Sequence, residues 1–374
     1  MATRFFRESS TINAAKAGLA HSIKRAVVYP LYEEGCGLSS HIFKVKKSNT
    51  RSPIMPERPE VRRFADALNQ ALGGKPIVSL LARTKAASSW EKEHPGVLLN
   101  KHIERVLSHG KHLVGLIEGG YYFHCHLMMW GSWAVLDNPP QEIDRRERSR
   151  IVVPDACAIL YSTPIFDLGA GNPFEIVENL RSLGTDILPY PDEKPFNAPV
   201  FLQKLLTPVH SQRTIGAALL DQQILAGIGN YLRAEILFDC RLDPWRKVAE
   251  LTASELERLV HSIPLMAQRA YTTGGFTVSD EARTRLQNDP SLVYTPGSEY
   301  GTRHYVFRRT NLPCLVCGNT IRQLRQVTRA DEEGEKTRII YFCPTCQGTN
   351  VELKKSKSKR KVVATGEKII EVQA

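Results

Sequence analysis

The sequence predicts an α+β multidomain chain: a β-rich first part with flanking helices, a helical second part and a small cysteine module. Three observations carry that expectation. Short β-type runs separated by turns occupy residues 77–161, and apolar positions recur at helical spacing from about residue 200. Four of the eight cysteines then form two Cys-x-x-Cys pairs towards the C-terminus. A length of 374 residues leaves room for two or three domains, each with its own core.

Taken in order, Val61, Phe64, Ala65 and Leu68 share one face of a helix running to about Ala71, which Gly73-Gly74 ends. Strands are predicted over Ile77–Leu81, Leu113–Ile117, Tyr121–Leu127 and Ala158–Tyr161, with Glu118-Gly119-Gly120 as one intervening turn. The Pro- and Asp-containing stretch Asn179–Pro199 reads as a linker. Helices follow over Val200–Leu206, Ile215–Leu225, Tyr231–Phe238 and Ala253–Ala270. The stretch from Gly274-Gly275 to about Tyr305 is expected to be a mobile loop. These patterns divide the chain into an extension outside the fold (1–54), a first domain (55–185), a helical domain (198–300), a cysteine module (301–349) and a basic, low-complexity tail (350–374).

Charged residues at 24% and hydrophobic residues at 42% fit a water-soluble globular protein. No apolar run approaches the roughly 18 residues of a membrane helix. The net charge of +11 is concentrated at the ends: residues 1–54 hold nine Lys/Arg and three acids (+6), and residues 350–374 hold seven and three (+4). The middle is left at +1, so nucleic acid would meet local basic patches there rather than a global field. Eight cysteines are too few for a disulfide scaffold of this length. Cys314, Cys317, Cys343 and Cys346 supply four thiolates suited to one tetrahedral, structural Zn2+. The 25 residues between the pairs exceed the usual roughly 15–20 through the acidic insert Asp331-Glu332-Glu333-Gly334-Glu335, expected at a hairpin tip. Arg309, Arg325 and Arg338 are the module's candidates for phosphate or base contacts.

Two further stretches point to chemistry. In Met55-Pro56-Glu57-Arg58-Pro59-Glu60-Val61, loss of Met55 as an initiator would free a proline secondary amine able to attack a sugar aldehyde. With residues 1–54 attached, that nitrogen is an amide whose lone pair is delocalised. Three readings of residues 1–54 stand: initiation at Met55, which we favour, an organelle transit peptide, or a basic arm. The second stretch, Leu219 to Phe238, reads as helix, turn, helix. Gly227 and Gly229 let the chain turn, Asn230 is placed at an N-cap, and free N–H groups there would grip a phosphate. Glu235 reads as a fastener between helices rather than a catalyst.

The combination of Met55-Pro56-Glu57-x-Pro59-Glu60-Val61, Gly227-Ile228-Gly229-Asn230 and Cys343-Pro344-Thr345-Cys346-Gln347 resembles the formamidopyrimidine-DNA glycosylase/endonuclease VIII family, from Met55 to about Gln347. The resemblance implies an N-terminal β-sandwich, a helix-two-turns-helix domain and a zinc-finger hairpin. It also implies a monomeric base-excision enzyme that removes an oxidised base from double-stranded DNA and nicks the abasic site. A bacterial cytoplasmic, nucleoid setting goes with it. By that resemblance Pro56 is the Schiff-base nucleophile, Glu57 the proton shuttle, Glu60 a second carboxylate near the lesion and Lys111 a phosphate-binding lysine. Asn230 and Arg338 match phosphate-binding residues, and Met129 matches the wedge that fills the gap left by a flipped nucleotide. Met128, Met129 and Trp130 would alternatively be ordinary core. His124 and His126 share a strand face without an expected carboxylate or cysteine partner for a metal.

The chain departs from the family at several places. Arg58 replaces the usual Leu or Gly and would put a cation near the active amine, or face solvent. Ser162-Thr163-Pro164-Ile165-Phe166 stands where many members carry an Arg-containing loop, which tilts the reading towards endonuclease VIII. Ile340 replaces a Ser or Thr of the zinc hairpin. Should residues 1–54 be retained, the alternative is a noncatalytic damaged-DNA-binding protein.

Overall fold

The computed structural model describes residues 56–331 and 334–349. The readings of residues 1–54, Met55 and the basic tail lie outside them. Helix α1 (Arg58–Leu72) starts three residues before the predicted Val61, because Pro59 occupies its first turn and Glu60 closes a capping box on Glu57. Its apolar stripe Val61, Ala65, Leu68 and Leu72 is buried.

Two four-stranded antiparallel sheets follow. One has the order β1 (Ser79–Ala82), β6 (Glu147–Val153), β7 (Ala156–Tyr161), β5 (Ser132–Leu136). The other has the order β2 (Ile103–His109), β3 (His112–Ile117), β4 (Tyr121–His126), β8 (Ile165–Ala170). Phe123 and Phe166 from the second sheet lie 5.8 Å apart and meet Trp133 from the first at ring separations of 6.1 and 6.2 Å. With α1, these aromatics close one core between the sheets. Four of these strands, and helix α2 (Lys85–Glu93), were not predicted. In β6 the reason is plain: the buried face carries Glu147 and Ser149 beside Ile151 and Val153, so no hydrophobic alternation marks it.

The stretch read as a linker is built into the fold. Thr185–Asp186 (β9) pairs in parallel with Leu225–Ala226 (β10), and Ile187, Leu188 and Phe196 are buried. Helix α3 (Ala198–Leu205) follows, but the helix predicted over Ile215–Leu225 is a single turn, Ile215–Ala218. Local side-chain bonds to backbone win there: Gln222 donates to the Leu220 and Ile228 carbonyls and accepts the Gly227 N–H, all at 2.9–3.0 Å. Helices α4 (Asn230–Asp239) and α5 (Ala253–Thr272) then form the second core with α3 and the base of the cysteine module.

Residues 274–305 are not a bare loop. Ser279 caps helix α6 (Asp280–Asn288), whose Ala282 and Leu286 are buried with Val278, Leu292 and Leu315. The module itself is the hairpin β11 (Arg322–Asp331) and β12 (Gly334–Phe342), with the pairs of cysteines at its base.

Candidate active site

The start of α1 docks onto the start of α4. Glu57 is 2% exposed, and its carboxylate accepts the backbone N–H of Gly229 at 2.7 Å, Tyr231 at 2.8 Å and Leu232 at 3.2 Å. The N–H groups expected to grip a phosphate are therefore held by the protein's own carboxylate, at the positive end of the helix dipole. This docking also explains the glycines. A Cβ on Gly229 would lie 2.5 Å from the Glu57 carboxyl, and one on Gly227 would lie 2.5 Å from the Arg58 Cβ. Both are required by close approach, and Gly227 also by its positive φ of 109°. Gly229, not Asn230, is the N-cap; Asn230 is the first helical residue and accepts a bond from Arg233 at 2.7 Å.

Glu60 faces the same point. It accepts the Glu57 N–H at 3.0 Å, the Tyr231 hydroxyl at 3.1 Å and Arg63 at 3.1 Å. Lys111, 8% exposed on the turn between β2 and β3, lies where the charges of Glu57, Glu60 and Arg338 act on its amine. Burial lowers the Lys111 pKa, opposed by Glu57. Burial likewise pushes the Glu57 carboxyl up to about 7, against the pull of Lys111 and of the backbone donors. A carboxyl of that kind changes protonation near neutrality, which is what a proton carrier requires. Half-buried Pro56 precedes it directly.

Arg58 neither faces solvent nor sits free beside Pro56. It is 1% exposed and ion-paired to Asp186 at 2.7 Å. Arg309 is also a correction: it is fully buried, donating to the carbonyls of Gly301 at 2.6 Å and Pro313 at 3.1 Å, and offers nothing to a nucleic acid. Arg338 is exposed on β12. Glu235 is a fastener, though not of two helices: it accepts the N–H groups of Tyr305, Val306 and Phe307 and the Thr277 hydroxyl. Ile340, in place of the family's Ser or Thr, is fully buried in the second core.

The turn after β4 carries Met128, Met129 and Trp130, exposed by 40%, 48% and 66%, so they are not core. Met128 takes a positive φ of 54°, its N–H donates to His126 Nδ1 at 3.0 Å, and Gly131 closes the turn onto the Leu127 carbonyl at 2.8 Å. His124 does have a carboxylate nearby, Asp167 at 3.2 Å, and its other ring nitrogen bonds His112 at 2.8 Å. Those histidines bond one another. Among the described residues, only Cys314, Cys317, Cys343 and Cys346 form a group of three or more possible metal ligands, with all four sulfurs within 4.8 Å. The Sγ separations of 3.8 Å (Cys314–Cys346) and 3.5 Å (Cys317–Cys343) match the edge of about 3.8 Å set by Zn–S bonds of about 2.3 Å in a tetrahedron.

Sequence reasoning did not find Asp186, Tyr231 or Arg233 as parts of this region. Arg233 is buried and joins Asn230, Gly216, Gln326 and Ile339, tying α4 to the hairpin. Only its place three residues after the Gly-Ile-Gly-Asn turn signalled it. Among the described residues no helix is long and apolar enough to cross a membrane.

Comparison with known proteins agrees with this geometry. Residues 55–162 match the formamidopyrimidine-DNA glycosylase N-terminal domain, and residues 187–282 match the formamidopyrimidine-DNA glycosylase H2TH domain. Endonuclease 8 from Escherichia coli (strain UMN026 / ExPEC) is 29% identical over 294 residues, covering 78% of this chain and 100% of that protein. Endonuclease 8 from Shigella sonnei (strain Ss046) is 28% identical with the same coverage. Among solved structures, Lactococcus lactis Fpg with DNA containing an abasic site superposes with a TM-score of 0.60 at 23% identity, over 78% of this chain and 100% of that one. The complex of wild-type L. lactis Fpg (MutM) with N7-benzyl-Fapy-dG DNA gives 0.61 at 22%, over 79% and 100%. At such identity the structural likeness speaks for the fold alone. The motifs, the matched domains and the fold place this chain in the formamidopyrimidine-DNA glycosylase/endonuclease VIII family of DNA glycosylases.

Proposed function

We propose that this protein removes oxidised bases from double-stranded DNA and cleaves the strand at the resulting abasic site. The observation that carries this reading is Glu57: a buried carboxyl titrating near neutrality, next to Pro56 and facing Lys111 and Glu60. With Pro56 as the chain terminus, its secondary amine attacks C1′ of the sugar as the C1′–base bond breaks. Glu57 supplies the proton that leaves with the base; the C1′–O4′ bond then opens as the proline N–H proton passes to O4′, and an iminium joins Pro56 to C1′ of the opened sugar. Loss of a C2′ proton then expels the 3′-phosphate by β-elimination, and water releases Pro56. An N-terminal amine with a pKa near about 8 is partly neutral at working pH and so nucleophilic.

Lys111, Asn230 and Arg338 serve as phosphate contacts around the lesion, with Glu60 holding the Glu57 end of α1. Met129 fits the wedge role, since an exposed apolar side chain on a tight turn can enter a base stack. The four cysteines would hold a zinc ion, which braces the hairpin and takes no part in bond breaking. The L. lactis relatives were solved with damaged DNA, and the same partner suits this chain.

Borohydride trapping on DNA containing an abasic site tests the reading, comparing the full chain with one starting at Met55. Cross-linking by the shorter chain alone is expected. Equal cross-linking by both would move the nucleophile to a lysine such as Lys111. Cross-linking by neither would overturn the lyase reading in favour of a noncatalytic damaged-DNA binder.

A further inference from the structure

The proposed chemistry uses Glu57 and Lys111 but leaves the residue beside each unexplained. Arg58 is the departure from the family's small or apolar residue, and every nitrogen of its guanidinium is engaged. Nε donates to both Asp186 oxygens at 2.7 and 2.8 Å, and Nη1 to Ser108 Oγ at 2.6 Å. Nη2 donates to the Ser108 carbonyl at 3.1 Å and the Leu188 carbonyl at 2.7 Å. Asp186 is engaged as fully. It accepts the Gly110 N–H at 2.7 Å and the Leu188 N–H at 2.8 Å, with His109 Nδ1 at 3.5 Å. Ser108, His109 and Gly110 are the three residues that lead into Lys111.

We infer that the Arg58–Asp186 pair is a positioning device that fixes Lys111 relative to Glu57. The inference rests on the catalytic reading given above. One ion pair, in which Arg58 Nε is shared between both Asp186 oxygens, joins the residue after Glu57 to the residues before Lys111, through an anchor at 186–188. The Arg58 backbone N–H also donates to the Gly227 carbonyl at 3.1 Å, so the α4 turn that holds the Glu57 carboxylate is tied to the main chain of the same residue.

A stability role alone explains this poorly. Burying an ion pair costs desolvation that its attraction roughly repays, and apolar packing of equal volume does as well or better. What the planar, five-donor guanidinium adds is direction, since it fixes several acceptors at set angles. Burial acts to raise the Asp186 carboxyl, yet the Arg58 charge with His109 and Gly110 holds it below the ordinary range, so the pair stays ionised. Neither Glu57 nor Lys111 can shift along its segment without breaking this network.

The test has two readouts, on Arg58→Met, which keeps the apolar stem, and on Asp186→Asn should the first variant fail to fold. In the full chain, acetylation of Lys111 is compared with that of exposed Lys92 by mass spectrometry, well below each variant's melting temperature. We expect the Lys111/Lys92 ratio to rise by about tenfold as the turn opens locally. In the chain starting at Met55, the single-turnover excision rate at saturating DNA should fall by roughly tenfold to a hundredfold, as misplacement by about 1 Å does elsewhere, with DNA affinity falling by no more than a few-fold for the one phosphate contact that Lys111 supplies. Arg58→Lys should recover only part of the rate, because an ammonium is a point charge without the fork.

An unchanged labelling ratio in a folded variant overturns the inference. So does a rise shared by all lysines, which would mean general loosening. Failure of the parent to trap abasic DNA would sink the catalytic reading while leaving the labelling comparison to decide the positioning one.

Discussion

Two glutamates buried in this protein meet the backbone in the same way. Glu57 accepts three N–H groups at the start of α4, and Glu235, one turn further along that helix, accepts three from Tyr305, Val306 and Phe307. Burial raises the pKa of both. Their neighbours differ. Glu235 has the Thr277 hydroxyl and the aromatic segment 304–307, whereas Glu57 has Lys111, Glu60 and the half-buried Pro56. A capped carboxylate is thus a staple by default. On the proposed reading it becomes a proton carrier only where other titratable groups and a nucleophile converge on it.

The largest effect should separate the two at once. Glu57→Gln is expected to slow single-turnover excision on the order of a thousandfold, within the range for losing a general acid–base group. Glu235→Gln should leave the chemical rate within a few-fold. Each turns an amide N–H towards a backbone donor, so both should lose stability, on the order of 1–3 kcal/mol. Equal rate losses in the two variants, measured with enzyme in excess over lesion DNA, would break the distinction.

The likeness has its own test, in the pH dependence of stability. A carboxyl raised from 4.5 to about 7 contributes stability that is complete below pH 4.5 and lost as pH rises towards 7. Over that window the parent should lose up to about 3 kcal/mol that Glu57→Gln, which cannot ionise, does not lose. His112 and His304, held low by burial at about 2 and about 3, act with the opposite sign below about pH 6.5. They are common to parent and variant and cancel in the difference. Urea melts from pH 4.5 to 7.5 giving parallel curves would show that Glu57 ionises no differently on folding.

Removing the metal should act on the staple side only. Glu235 fastens Tyr305–Phe307, and that segment leads into Cys314. Chelation, or Cys343→Ala, is expected to weaken DNA binding by about tenfold or more through lost hairpin contacts, given the free energy a structural zinc contributes to folding. Trapping at saturating DNA should persist. Unchanged affinity in metal-free protein, read by fluorescence anisotropy, would remove the hairpin from binding.

Much of this region was legible in the sequence because its residues are fixed by local chemistry. Cys314, Cys317, Cys343 and Cys346 announce themselves by spacing, and Pro56, Glu57 and Glu60 by adjacency in a short motif. Gly227 and Gly229 were legible as glycines, but their reason was not, since a turn and a close approach to Arg58 or Glu57 ask for the same residue. Arg309 and Arg58 were misjudged for a common cause. An arginine buried on carbonyls or on a distant aspartate looks, in sequence, like any surface cation. Strand β6 escaped because its buried face is half polar. Pairings such as Arg58 with Asp186 join positions whose partnership exists only after folding.

The smallest predicted effect is also the most discriminating, because it removes a single hydroxyl on each side. Thr277 Oγ1 donates to Glu235 at 2.7 Å, and the Tyr231 hydroxyl donates to Glu60 at 3.1 Å. Thr277→Val and Tyr231→Phe keep the shapes, and the Phe ring keeps its stack on His304, whose centroid lies 5.0 Å from that of Tyr231. Tyr231→Phe should cost about 1 kcal/mol of stability, the net worth of one hydrogen bond, and Thr277→Val on the order of 1–3 kcal/mol, since its hydroxyl also meets His304 Nδ1 at 3.0 Å. The rates should diverge nonetheless. Thr277→Val removes the bond to Glu235 and one to His304 Nδ1 at 3.0 Å, neither of which reaches Glu57 or Glu60, and should excise at the parental rate. Tyr231→Phe frees Glu60, which holds the Glu57 N–H at 3.0 Å, so a loss of a few-fold is expected, at most about tenfold. Were Thr277→Val the slower enzyme at matched stability, the staple would be part of the chemistry and the contrast between the two glutamates would collapse.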